Sequence, residues 1–196
     1  MSRKEVYKVS NKVLWNLSAL IDTPVGKSNL AKLRNSIGKP LSQSIEIWPL
    51  IFEFMPEKFL SRTEEASNEE KSIIYSLQMY AFHQQGQSSS VLCTETEKYN
   101  NIGKSLKVLR ADENKTSIDR RFNTMITSSN FDELSYNLRQ IIGILKSKAP
   151  EEKVDYAKLA EDMYRFLRGY DEDVRLDWAR EYYRANYNKK GEDENE

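Results

Sequence analysis

The stretch NFDELSYNLRQIIGILKSK, Asn130 to Lys148, decides the fold class. Asn130 offers a side-chain carbonyl to the unpaired N–H groups of a first helical turn, and Glu133 stands three residues on, in the reciprocal position. Behind that start, Leu134, Leu138, Ile141, Ile142 and Leu145 recur every three or four residues. At the helical step they fall on one stripe, so the stretch predicts an amphipathic helix with that stripe buried.

The same period returns on either side. Upstream, Asp119 is the expected start of a helix with Phe122, Met125 and Ile126 inward. Tyr99 to Ala111 reads as another, with Ile102, Leu106 and Leu109 inside an arc of about 60°. Gln84 to Ser90 is a polar loop, and Ser67 with Glu70 has the capping-box spacing for a helix through Ile73, Ile74, Leu77, Tyr80 and Ala81. Ser42 is the expected cap of a segment carrying Ile45 to Phe54, in which Pro49 implies a kink or a restart. Leu30 to Ile37 predicts a short helix. Arg3 to Ile21 predicts a longer one, stopped by Asp22-Thr23-Pro24, with Lys4, Lys8 and Lys12 on a ridge opposite its apolar face and Trp15 off the apolar centre. Downstream of Pro150, Tyr156, Leu159, Met163, Phe166 and Leu167 form one more stripe. A last helix starts near Asp171 to Asp173 and carries Val174, Trp178 and Tyr182.

No strand pair and no repeat emerges. The expectation is an all-α compact bundle of about seven to nine helices, possessing one core or two packed lobes. A single domain is expected over residues 1–188 with a connector near 61–70, and the tail from Lys189 (KKGEDENE) is too polar to fold. Composition agrees: of 196 residues 39% are hydrophobic and 31% charged, with only 7 Gly and 5 Pro. One cysteine, Cys93, excludes an internal disulfide and a cysteine-based zinc cluster. No apolar run reaches membrane-spanning length and Met1 to Leu20 lacks a secretory core. A soluble, cytoplasmic protein is expected.

Catalytic chemistry is hard to assemble from this chain. His83 is the sole histidine and follows an apolar run, as a buried, hydrogen-bonded residue at a helix end would. Phosphate loop, nucleophile elbow and zinc-ligand spacings are missing. No cofactor, metal or enzymatic activity is expected.

Charge is more informative. The formal total is zero, yet residues 1–40 hold 8 basic and 2 acidic side chains, and 101–148 hold 9 and 5. Residues 41–100 hold 4 and 9, and 149–196 hold 9 and 14. Basic blocks between acidic ones fit either a patch-wise nucleic-acid footprint or a mixed solvated surface. On the helix expected at Tyr99–Ala111, Lys104 lies opposite the apolar arc, with Lys107 one turn on and Arg110 flanking. Such a row fits a phosphate backbone or an ordinary solvated face. Arg120 and Arg121, placed by this reading in a first helical turn, would turn free N–H groups and two guanidiniums into an anion-binding corner, unless Asp119 simply neutralises them. Arg139 and Lys146 flank the stripe of the Asn130–Lys148 helix. Tyr182, Tyr183 and Tyr187 invite base stacking, although packing suits most aromatics here, Trp48 and Trp178 above all.

The ordered strings resemble a known family. RRFNTMITSSNFDELSYNLRQIIGILKSK (Arg120 to Lys148), DYAKLAEDMYRF and VRLDWAREYY (Val174 to Tyr183) resemble the CasB family, the small subunits of the type I-E CRISPR complex Cascade. Upstream, GKPLSQSIEIWPLIFEFMPE (Gly38 to Glu57), YAFHQQGQ (Tyr80 to Gln87) and NIGKSLKVLR (Asn101 to Arg110) keep the family's order. The likeness covers roughly residues 10–185, by the extent of these strings. It departs between Gly86 and Gly103, where extra residues stand and no role is carried over. The resemblance implies packed helices without enzymatic activity in an antiviral defence complex of the bacterial cytoplasm. It implies two copies side by side, contacts to the other Cascade subunits and the crRNA complex, and a basic surface holding target DNA, particularly the displaced non-target strand of the R-loop. The residues it puts forward are Lys104, Lys107, Arg110, Arg120, Arg121 and Arg139. A protein–protein scaffold docking its basic face on acidic partners is the alternative.

Overall fold

A computed structural model describes residues 3–94, 100–111 and 115–185. The first helix, α1 (Arg3–Ala19), gives way to a turn in which Thr23 acts twice. Its hydroxyl donates to the Leu20 carbonyl at 2.8 Å and accepts from the Gly26 N–H at 3.0 Å. That cap, with Pro24 in the first turn, starts α2 (Pro24–Asn35) well before the expected Leu30. Asp22-Thr23-Pro24 therefore opens a helix as well as ending one, because proline's fixed φ suits a first position.

Ser42 is not a cap. Leu41–Gln43 and Ile45–Ile47 are 3₁₀ turns, and the chain restarts as α3 (Trp48–Phe52) with Pro49 in its first turn, so a restart replaces the kink. The expected capping box is present at α4 (Asn68–Gln84): the Glu70 N–H reaches the Ser67 hydroxyl at 3.0 Å, and the Ser67 N–H reaches the Glu70 carboxylate at 2.6 Å.

The helix expected over Tyr99–Ala111 divides. α5 (Ile102–Leu106), capped by the Asn101 side chain, is followed by a 3₁₀ turn, Lys107–Ala111; Tyr99 lies outside the described residues. α6 (Lys115–Ile126) begins four residues before Asp119. α7 (Phe131–Lys148) is capped by Asn130 as its sequence requires, while Glu133 reaches back to the Ser129 N–H at 2.7 Å. α8 (Tyr156–Leu167) is capped by Asp155, and α9 (Asp171–Tyr183) opens on three acidic residues. The fold is all-α. Among the described residues the nearest thing to a sheet is one parallel bridge, in which the Cys93 N–H meets the Val154 carbonyl at 3.0 Å and the Val154 N–H meets Val91 at 2.9 Å.

α4 runs through the centre, and every residue from Ser72 to Ala81 is buried. It packs on α8, α2, α1 and α7, while α8 also spans α1 and α9. A helix late in the chain thus lies beside the first, and the buried apolar side chains form one cluster. α5 lies on α9 so closely that a Cβ at Gly103 would come within 2.1 Å of the Trp178 carbonyl oxygen. α6 and α7 form an antiparallel hairpin on the outside. Polar groups in the interior are paired across helices. Trp178 Nε1 donates to the Asp162 carboxylate at 2.9 Å, and Lys158 Nζ meets the same carboxylate. Arg165 bridges Asp162 and Asp177, and Ser76 donates to the Tyr156 carbonyl.

Candidate nucleic-acid interface

The six basic residues put forward by sequence separate into three places. Lys104 and Lys107 are half-buried on α5 and the 3₁₀ turn after it. Burial raises the Glu152 carboxyl's pKa, and the charge of Lys104 partly opposes that. Arg110 does not continue their row, because the change from α to 3₁₀ winding redirects the chain toward α6. Its guanidinium holds Asp119 through two bonds, Nε at 2.8 Å and Nη2 at 3.3 Å. It also lies 5.1 Å from the Tyr182 ring centre and 4.8 Å from that of Tyr183.

Asp119 accepts from the Tyr182 hydroxyl as well, at 2.8 Å, and the Tyr182 ring stacks on Phe122 at 3.7 Å. Burial pushes the Asp119 carboxyl up, but the bonds from Arg110 and Tyr182 outweigh it and hold its pKa below the usual range. The tyrosines raised as base-stacking candidates are thus engaged in packing. Tyr182 is buried, and the half-exposed Tyr183 gives its hydroxyl to Asn123 at 2.8 Å; Tyr187 lies outside the described residues.

Arg120 and Arg121 lie one turn and more inside α6, so their own N–H groups belong to the helix and offer no anion corner. Asp119 does not neutralise them, being held by Arg110. Instead they line a groove between α6 and α7. Ser117, Arg120, Arg121 and Thr124 recur at helical spacing along one wall, and Tyr136, Asn137, Gln140 and Ile141 form the other. The space is about 380 Å³. Among the described residues no carboxylate lines it, and neither guanidinium has an acidic partner. Tyr136, 65% exposed, stands on the rim.

Arg139 is on the far flank of α7, with its guanidinium 5.4 Å from the Phe82 ring centre. Lys146 lies 5.2 Å from the same centre and donates to Gln85 at 3.1 Å, while Arg34 from α2 donates to the Ala81 carbonyl at 3.4 Å. Three cations thereby meet the negative end of the α4 dipole, which favours them. Burial lowers the pKa of Arg34 and Lys146, and in Lys146 the neighbouring Arg34 adds to it. Arg34 was not legible as a neighbour of Lys146, because α2 and α7 are brought to the same end of α4 only in the folded chain.

His83 is fully buried, and its Nδ1 lies 2.9 Å from the Tyr156 hydroxyl. Burial, with the charge of Lys146, lowers its pKa to about 4. Among the described residues no three His, Cys, Asp or Glu side chains gather to hold a metal, and no helix is long and apolar enough to cross a membrane.

Comparison with known proteins bears on this surface. The family model of CRISPR-associated protein Cse2 matches residues 29–183, which takes in α4 to α9 entire. The chain belongs to the Cse2 family. CasB from Thermobifida fusca has a similar fold, with TM-score 0.72 and 22% identity over 91% of this chain and 98% of its own. A Cse2-family protein of Thermus thermophilus gives 0.65 and 20% over 90% and 98%. A chain of a CRISPR RNA-guided surveillance complex gives 0.65 and 17% over 91% and 92%. Among curated proteins none matches by sequence. The kinship with CasB read from Arg120–Lys148 and Val174–Tyr183 is confirmed, and in this Cse2 chain those strings are the α6–α7 hairpin and α9.

Proposed function

We propose that the chain is a non-catalytic subunit of a CRISPR RNA-guided surveillance complex of the Cascade type, acting in the bacterial cytoplasm. It works there as a single helical unit, in two copies, beside the other subunits and the crRNA. Its task is to hold the displaced non-target strand of the R-loop through the α6–α7 face. The observation that carries this is a groove with two guanidiniums and, among the described residues, no carboxylate, on a Cse2-family chain. Asp119, Asp162 and Asp177 are each paired with a cation inside the fold and other acidic side chains lie away from this groove, so a neutral total charge coexists with a positive face.

Opening a duplex against a guide is nearly balanced in free energy, so modest phosphate contacts to one strand can tip it. Arg120 and Arg121 make the principal contacts in this reading. Lys104 and Lys107 extend the basic surface, Arg139 belongs to the patch around Phe82, and Arg110 acts by positioning Asp119 and α9. The test is reconstitution of the complex with and without this chain; unchanged R-loop formation on omission refutes the role. In the finer test, Arg120→Gln with Arg121→Gln removes two phosphate contacts. The slope of log affinity against log salt for a single strand should then fall by about 1.4. Equal slopes refute the contact. The scaffold alternative is supported by the balanced total charge, and crosslinking to photoreactive DNA inside the complex separates the two.

A further inference from the structure

Tyr136 is the aromatic residue of the groove, and neither charge nor packing explains it. Its ring is 65% exposed at the rim, and among the described residues it faces no other ring and no cation. The neighbouring aromatics are spent differently: Phe122 and Tyr182 stack on each other, and Phe82 is flanked by Arg139 and Lys146. An amphipathic ring left open beside two guanidiniums is a stacking platform without an occupant.

The rest of the groove suits the same occupant. Gln140 presents an amide that has no hydrogen-bond partner among the described residues, and Ser117 contributes an exposed hydroxyl. Asn137 is oriented by its bond to Ser128 at 3.0 Å. Ile141, 1% exposed, supplies an apolar floor. A volume of about 380 Å³ stands near the low end of the roughly 300–1,000 Å³ of small-molecule sites. It is room for one nucleotide and too little for a duplex.

We infer that the α6–α7 groove seats one unpaired nucleotide of the DNA strand, its base stacked on Tyr136 and its flanking phosphates held by Arg120 and Arg121. This rests on the strand-holding role proposed above and adds to it a reason for preferring single strands. In a duplex each base face is covered by its neighbours, so only an unstacked base can lie on the ring. The two chemistries divide the work: phosphate contacts carry the salt dependence, and stacking carries the preference for an exposed base.

The experiment uses the full chain and three probes of one length: a DNA single strand, the same backbone with every base removed, and the duplex. Variants are Tyr136→Ala, Tyr136→Phe, and Arg120→Gln with Arg121→Gln, each checked for helicity by circular dichroism. Tyr136→Ala should weaken single-strand binding about 5- to 10-fold, the lower part of the range for base–aromatic stacking, with an unchanged salt slope. Tyr136→Phe keeps the ring and should bind within about twofold of the parent. The abasic strand should bind the parent weakly and lose nothing further with Tyr136→Ala. If the arginine variant flattens the salt slope while Tyr136→Ala and base removal change nothing, the nucleotide seat is overturned and the phosphate role stands. If the arginine variant also changes nothing, both readings fall. A duplex bound as tightly as the single strand, with equal loss on Tyr136→Ala, overturns the seat as well.

Discussion

Replacing His83 with glutamine should change how stability depends on pH. The imidazole is fully buried, its Nδ1 paired with Tyr156 and its Nε2 without a partner among the described residues. Its pKa is lowered from 6.5 to about 4, first by burial and then by the charge of Lys146. A lowered histidine pKa means that the unfolded chain binds the proton more readily than the folded one. The stability it supports is present above the unfolded pKa and is lost as pH falls from about 6.5 toward 4. Integrating between pH 7 and pH 5, the loss is about 2 kcal/mol. Asp155 acts in the opposite sense. Burial raises its pKa to about 6, so its protonation favours the folded chain as pH falls and returns about 1 kcal/mol over the same interval. The two partly cancel in the parent, which is why the measurement must be a difference. Urea denaturation of the parent and His83→Gln at pH 7 and pH 5 gives it, whatever offset the substitution itself brings. The parent's advantage should shrink by about 2 kcal/mol on acidification. A difference that stays constant within about 0.5 kcal/mol refutes a neutral buried imidazole.

Asp155→Asn keeps an N-cap acceptor for the Lys158 N–H and should reverse the sign, the parent gaining about 1 kcal/mol over the variant from pH 7 to pH 5. Gly103→Ala forces α5 away from the Trp178 carbonyl and should cost about 3 kcal/mol in denaturation. Gly143→Ala, whose Cβ meets Phe82 at an ordinary 3.6 Å, should instead be neutral or stabilise α7 by up to about 1 kcal/mol. Trp178→Phe strips the buried Asp162 carboxylate of one donor and should destabilise by about 2 kcal/mol, read as a lowered Tm.

The sequence by itself determined the helical class and several helix starts, because those depend on residues three or four apart. Ser67 with Glu70 forms its capping box in the folded chain and Asn130 caps its helix, although Glu133 reaches back to Ser129 in place of Asn130. The stripes of α7 and α9 are buried as their period requires, and that of α8 is buried through Met163 but only half-buried at Phe166 and Leu167. Local reasoning missed the start of α2 at Pro24 and the start of α6 before Asp119, where one signal served two purposes or lay further upstream. The ordered strings also carried the family, since the likeness follows residue order and needs no contact. Only the tertiary structure decided which cations face outward. Arg110 pairs with Asp119 nine residues on and lies over Tyr182, seventy-two residues away; Arg139 of α7 lies over Phe82 of α4, fifty-seven residues before it. Charge pairing acts through space, so a count along the chain weighs every arginine alike. Folding gives a carboxylate to one and leaves Arg120 and Arg121 beside an open tyrosine.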